Sequence, residues 1–301
     1  MPTGRDVGTR VGGRVTYAPD TDRGRSAALR EHEAATAVGL ATGWRNDLPV
    51  PFPHAGGVVL ADQAQLDPIE LLHGLVADLR AAGGRVVTGV RVQHVSVIGW
   101  PTVRWDGGRM SSDTIVLATG SPSVDRALHF ARLEPHRSYA LAFDHPDAPD
   151  LMLLSAHGSS RSVRDAPGDG AARRLLVGGE GHTVDPARHE QGHLDRLREW
   201  TAEHFPQAVE THPWSAQDYT STDALPRVGL LPLERGRVHV ATGFAKRGDD
   251  ERGRCCVGRV RADPRSPGAV GTAPAPQVRA ASAARHCCPP AARPSTGARA
   301  P

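Results

Sequence analysis

The stretch "RVHVATGFAKRG", residues 237–248, runs from a short apolar segment into a Thr-Gly turn, and "DTIVLATG" (113–120) ends in the same way. Both read as buried strands that stop at a glycine. Without a Cβ, glycine lets the backbone come close to a ligand, and N–H groups at such a strand end suit a phosphate or a ring edge. Ala118, Thr119 and Gly120 at one end, and Thr242 and Gly243 at the other, are therefore candidate binding positions.

Working outward, "LDPIELLHGLVADLRAAGG" (66–84) predicts a helix. Asp67 is placed to cap it, Pro68 suits its first turn and Glu70 completes a capping box. Leu72, Val76 and Leu79 follow at helical spacing, and Gly83-Gly84 stop it. "RVVTGVRVQHVSV" (85–97) alternates as a strand does, "TVRWDGGRM" (102–110) predicts a hairpin, and the strand 113–120 completes an α/β lobe. Before it, "RVTYA" (14–18) and "GVVLA" (57–61) read as strands flanking a helix from Asp22 to Val38, ended by Gly39. From Ser138 the pattern becomes strand-rich, and a helix over 186–205 has Asp185 as cap and Leu194, Leu197, Thr201 and His204 on one face.

The expected organisation is α/β with an α+β second lobe. It comprises an irregular lead-in at 1–13, second-lobe segments at 14–61 and 134–215, ligand-lobe segments at 62–133 and 216–248, and a tail at 249–301. That tail carries nine arginines against four acidic residues and has no Leu, Ile, Met, Phe, Tyr or Trp. It holds +5 of charge, which leaves −2 of the chain's +3 for residues 1–248. The body thus offers no basic patch for nucleic acid. The tail lacks the side chains to offset the roughly 1–2 kcal/mol per residue that ordering a backbone costs, so it is expected to have no packed core.

All four cysteines lie in that tail as two adjacent pairs, so no disulfide framework supports the body, which suits a reducing cytoplasm. The pairs lack the spacer of a zinc knuckle. No apolar run approaches the ~18 residues of a membrane span, and no signal peptide is legible. A small-molecule partner is expected; oligomeric state is not legible.

"WSAQDYTSTDALPRVG" (214–229) followed by "VHVATGFAKRG" (238–248) resembles the C-terminal part of the D-amino-acid-oxidase-like, glycine oxidase-like family of FAD-dependent oxidoreductases. More closely it is similar to the bacterial branch whose members often carry an added Rieske domain. The resemblance extends over "ADQAQLDP" (61–68), "RVVTGVRVQHV" (85–95), "DTIVLATG", "RSYALAF" (137–143), "SSRSVR" (159–164) and "LLVGGEGH" (175–182), nearly all of 14–248. It implies a partial FAD-binding, Rossmann-like lobe beside a sheet-containing substrate lobe. It also implies oxidation of a small amine or amino acid by hydride transfer to flavin, the protein orienting both reactants. Val92 matches a valine whose backbone meets the adenine. Ala118 to Gly120, and Thr242, Gly243, Phe244 and Gly248, match turns beside the flavin. Lys246, the one lysine of the chain, matches an arginine that holds substrate carboxylate, and Arg161 and Arg164 lie on a strand that the resemblance puts near substrate, a surface ion pair being an equal alternative.

Two departures stand out. The family's opening G-x-G-x-x-G turn occurs nowhere in this sequence, and after "GF" the relatives' Lys-Trp-Gly-Met-Thr is replaced by Lys246-Arg247-Gly248-Asp249-Asp250 and the tail. The chain is therefore expected to be a fragment whose tail reads like a shifted frame of a GC-rich gene. The alternatives are a non-catalytic remnant that binds no flavin and, more remotely, a zinc hydrolase using "HEQGH" (189–193). In the latter, His189 and His193 would bind metal, Glu190 would be the base, and Glu210 or His212 a third ligand. The motif's charged surroundings favour a solvated helix face and no metal. "GFAKRG" lacks the Lys-Ser/Thr of a P-loop, and Asp218 and Asp223 read as turn formers before "LPRVG".

Overall fold

The computed structural model describes residues 10–96, 99–121, 132–167, 173–184, 190–223, 225–231 and 237–245. The tail, the proposed cap Asp185 and the first nine residues of the lead-in lie outside them.

Eight strands form one sheet: β1 (Arg10–Pro19), β2 (Thr42–Arg45), β3 (His54–Gln65), β8 (Leu133–Asp144), β9 (Met152–Ser155), β10 (Arg161–Pro167), β11 (Arg173–Thr183) and β12 (Val209–Ser221). Their order is β12-β8-β11-β10-β9-β1-β3-β2, antiparallel throughout except for β1 with β9. Alternation decides what each strand buries. Val15 and Tyr17, Tyr139, Leu141 and Phe143, Val163, and Leu175 and Val177 share one core, into which Leu197 of helix α3 (Glu190–His204) and Phe205 insert. Each such aliphatic side chain contributes roughly 1.5–3 kcal/mol by burial. Helix α1 (Asp22–Ala37) closes a smaller core of Ala18, Ala28 and Val58, and its cap Thr21 accepts a hydrogen bond from Gly24 N–H at 3.0 Å.

Two three-stranded sheets complete the described chain. β7 (Ile115–Gly120), β13 (Arg227–Leu230) and β14 (Val238–Thr242) run in the order β13-β14-β7, with β14 parallel to β7; β4 (His94–Ser96), β5 (Thr102–Trp105) and β6 (Gly108–Ser111) form an antiparallel meander. Val95 of the meander meets Ile115, Leu117, Leu231, Val238 and Val240 in a third core. Helix α2 (Pro68–Ala81) is capped by the Asp67 carboxylate, which accepts from Ile69 N–H at 2.7 Å and Glu70 N–H at 3.3 Å.

Several expectations need correction. Residues 10–12 are not irregular: they pair with β3, Arg10 opposite Gln65, with a register shift at Gly13, because a backbone ladder needs no side-chain alternation. The expected segment borders 61/62 and 215/216 fall inside β3 and β12. The strand expected over 85–97 shrinks to β4, and Val92 precedes it in irregular backbone, 44% exposed, with Val87 67% exposed. Valine alternation signals a strand only where a neighbour completes the ladder, and here pairing begins with Gln93 N–H donating to Arg104 C=O at 2.9 Å. Helix α2 buries none of its residues, leaving Leu72 and Leu79 exposed. β7 is buried on one face only, by Ile115 and Leu117.

Candidate active site at the paired strand ends

The two Ala-Thr-Gly stretches lie side by side. Parallel pairing sets Val238 opposite Ile115, and one register shift later Thr242 stands opposite Gly120. Both chains turn at glycines in the left-handed region, Gly120 at φ 77° and Gly243 at φ 73°, where a Cβ would be strained. The buried Thr242 hydroxyl donates to the Gly120 carbonyl, tying one turn to the other. Thr119 Oγ1 donates to Ser121 C=O at 2.6 Å, and Ala118, Thr119 and Gly120 are exposed.

These ends abut the large sheet. Thr220 of β12 bridges to Phe244, and Ala245 N–H, at φ 52°, donates to Tyr219 C=O at 3.0 Å. A Cβ built on Gly120 would touch the Tyr219 ring at 3.4 Å, and one on Gly243 would meet Leu133 Cδ2 at 3.3 Å. The strand ends thus form a seam with β12 and β8. Just beyond, the Asp223 carboxyl is held below its ordinary value. Burial alone would raise it, but the Leu225 N–H at 3.3 Å and Arg227 at 3.1 Å outweigh that.

Arg164 is elsewhere on the large sheet, donating to Gln65 Oε1 at 3.1 Å. Lys246 and Gly248 lie outside the described residues, and Val92 belongs to the approach to the meander. Structure therefore brings together Ala118 to Gly120 with Thr242 to Phe244, and adds Tyr219 and Leu133, which sequence reading missed. For Tyr219 the signal was the spacing of "DYTSTDALP" ahead of β14; Leu133, on β8, had none.

Of the residues considered for zinc, His193 and Glu210 are otherwise engaged, and His189 lies outside the described residues. His193 is 8% exposed, stacked on Tyr139 at 4.9 Å and His182 at 4.3 Å, with Nδ1 2.6 Å from Arg196 Nη2. Burial, then the His182 and Arg196 charges, push its pKa down. Glu210 accepts two bonds from Arg198, at 2.7 and 2.8 Å, which hold its carboxyl below the ordinary range. Among the described residues no group of three or more His, Cys, Asp or Glu is placed to hold a metal ion, and no helix is long and apolar enough to cross a membrane.

A parallel strand pair delivering two linked glycine turns to the edge of a separate sheet accords with a family model, DAO: FAD dependent oxidoreductase, that matches residues 2–248. The chain belongs to this family. Among solved structures of the same fold, glycine oxidase from Geobacillus kaustophilus superposes with a TM-score of 0.68 at 20% identity, covering 82% of this chain and 69% of that one. L-Proline dehydrogenase from P. horikoshii gives 0.63 at 13% identity, covering 79% and 68%. YhfW of Bacillus subtilis (strain 168), whose name gives it as a Rieske 2Fe-2S iron-sulfur protein, is 28% identical over 223 residues, 72% of this chain. The chain spans 43% of that relative's length.

Proposed function

We propose that this FAD dependent oxidoreductase family member oxidises a small amine or amino acid, with the isoalloxazine seated on the turns that end β7 and β14. The observation that carries the reading is the register of Thr242 against Gly120, with Gly120 and Gly243 both left-handed and the Thr242 hydroxyl joining the two turns. Ligands of open α/β sheets sit outside the carboxyl ends of parallel strands, and these are such ends. Gly120 and Gly243 supply the left-handed turns, the side of each that a Cβ would take facing Tyr219 and Leu133, and the backbone of Ala118 to Gly120 stays exposed to meet a ring system, so these residues fit that part of FAD. When bound, FAD supplies the acceptor for a hydride leaving the carbon beside an amine.

The chain's own residues position the reactants. Thr242 fixes the Gly120 carbonyl, and Gly243 and Phe244 continue the seat. Tyr219 and Leu133 exclude water from its edge. Lys246 and Arg164 would hold a substrate carboxylate by charge-assisted hydrogen bonds. Val92 would take the adenine side, in the ligand lobe that also contains α2 and the meander. The reading includes that the sequence is an incomplete piece of such an enzyme. It contains no G-x-G-x-x-G turn for a pyrophosphate, and the exposed Leu72, Leu79 and Val116 present apolar surface that a fuller lobe would cover.

Flavin fluorescence on titration with purified chain tests it. Weak but saturable quenching is expected, lost in Gly120→Val and Gly243→Val, which force a branched side chain into the two left-handed turns. Quenching that persists unchanged in both variants would refute the seat. Absence of saturable quenching at millimolar protein would favour the non-catalytic remnant.

A further inference from the structure

A second polar cavity lies away from that seam. About 220 Å³ in volume, it sits where the end of β1, the turn at Phe52–Pro53, the loop before β10 and helix α3 converge. Arg161 lines it and is 7% exposed, yet its Nη1 atom is buried without a hydrogen-bond partner. An orphaned buried guanidinium nitrogen costs the desolvation of a charged donor, so its unused valence marks a place for an acceptor.

The rest of the guanidinium is accounted for. Nη2 reaches Glu180 Oε1 at 3.5 Å, and the plane lies 4.9 Å from the Trp200 ring. Glu180 is shared: Arg196 Nε approaches its other oxygen at 2.8 Å, and His193 Nδ1 stands 3.5 Å away. Two guanidinium cations therefore face one carboxylate, and the cluster lacks one negative charge. The remaining polar wall comprises the Tyr17 and Ser155 hydroxyls with His204, and the apolar wall is Phe52 and Trp200. Alternation along β10 puts Arg161 on the face of Val163, in the α3 core, and Arg164 on the opposite face.

We propose that this cavity binds a small monocarboxylate with a flat apolar body, at a site separate from the strand-end seam. The carboxylate supplies the missing charge and the acceptor for Arg161 Nη1. The Tyr17 phenol donates to it, and Phe52 and Trp200 sandwich the apolar part. The volume suits such a ligand, since an apolar cavity of roughly 150 Å³ already accepts benzene. The exposed loop of His157, Gly158 and Ser159 forms the mouth.

Calorimetric titration of the purified chain with benzoate tests this, with benzamide as the uncharged isostere. One saturable site is expected, with benzamide at least tenfold weaker. Arg161→Met should abolish binding. Because that variant also disturbs the Glu180 cluster, Ser159→Trp, which plugs the mouth from an exposed loop, provides a second block with a folded protein. Arg174→Gln, which alters a side chain paired with Asp144 and outside the cavity lining, should leave benzoate affinity unchanged. No saturable binding by the wild-type chain, equal binding of benzamide, or loss in Arg174→Gln with retention in Ser159→Trp would each overturn the proposal.

Discussion

Tyr17 offers a stability measurement whose sign and size follow from its burial. Its side chain is 5% exposed, packed against Phe52 with ring centroids 5.1 Å apart. Burial pushes the phenol up from 10.0 to about 12, against the opposing pull of Arg161 and of a hydrogen bond with Ser155. A raised phenol pKa means the native state keeps its proton where the unfolded state has lost it. Stability is then full below pH 10 and is lost as the pH rises toward 12. Each pH step of one between the two values removes about 1.36 kcal/mol, so the whole loss is about 2.7 kcal/mol.

Tyr17→Phe removes the titrating group. It should cost about 0.5–1.5 kcal/mol at pH 8 through the lost hydroxyl contact, and then lose correspondingly less than wild type above pH 10, so that the two curves cross. The chain suits the comparison, with three tyrosines and a single lysine, Lys246. Those other groups titrate alike in both proteins and cancel in the difference. Urea unfolding at half-unit steps from pH 8 to 12 measures it. Wild type and Tyr17→Phe falling in parallel would refute the argument.

Gly243→Ala forces a Cβ into the left-handed region 3.3 Å from Leu133, and should destabilise by about 1–2 kcal/mol in urea unfolding. Leu197→Ala empties a fully buried site between α3 and the sheet, and a loss of about 3 kcal/mol is expected by the same assay. His193 has a depressed pKa in the fold. Below its unfolded value near 6.5 the unfolded chain binds the extra proton first, so stability should fall as pH drops from 7 through 5, less steeply in His193→Phe. Equal slopes for His193→Phe and wild type would show that His193 does not carry the effect.

Local signals were legible in the sequence where one residue decides geometry. Asp67-Pro68 start α2, Gly39 follows the end of α1, and the hairpin around Asp106-Gly107 joins β5 to β6. The α/β class and the two Ala-Thr-Gly strand ends were read from glycine placement after apolar runs. Strand order was not, because β9 beside β1 joins segments more than a hundred residues apart with no local mark of register. The run 85–93 misled because alternation reports a side-chain pattern and not the presence of a partner strand. Tyr219 beside Gly120, and the Arg161, Glu180 and Arg196 cluster, depend on side chains from strands and a helix distant in sequence, so their types alone gave no hint of contact.

The parallel pairing of Arg14–Tyr17 with Met152–Ser155 also sets a clock for biosynthesis. β1 can zip onto β3 soon after both leave the ribosome, but its other edge has to wait until β9 is made. At roughly 5–20 residues per second the stretch from the end of β3 to β9 takes about 4–17 s. Through that interval a nascent strand pair displays open hydrogen-bonding groups, the situation in which strands recruit wrong neighbours. Yield of folded chain should therefore respond to translation speed and to holding chaperones, more than equilibrium stability alone would suggest.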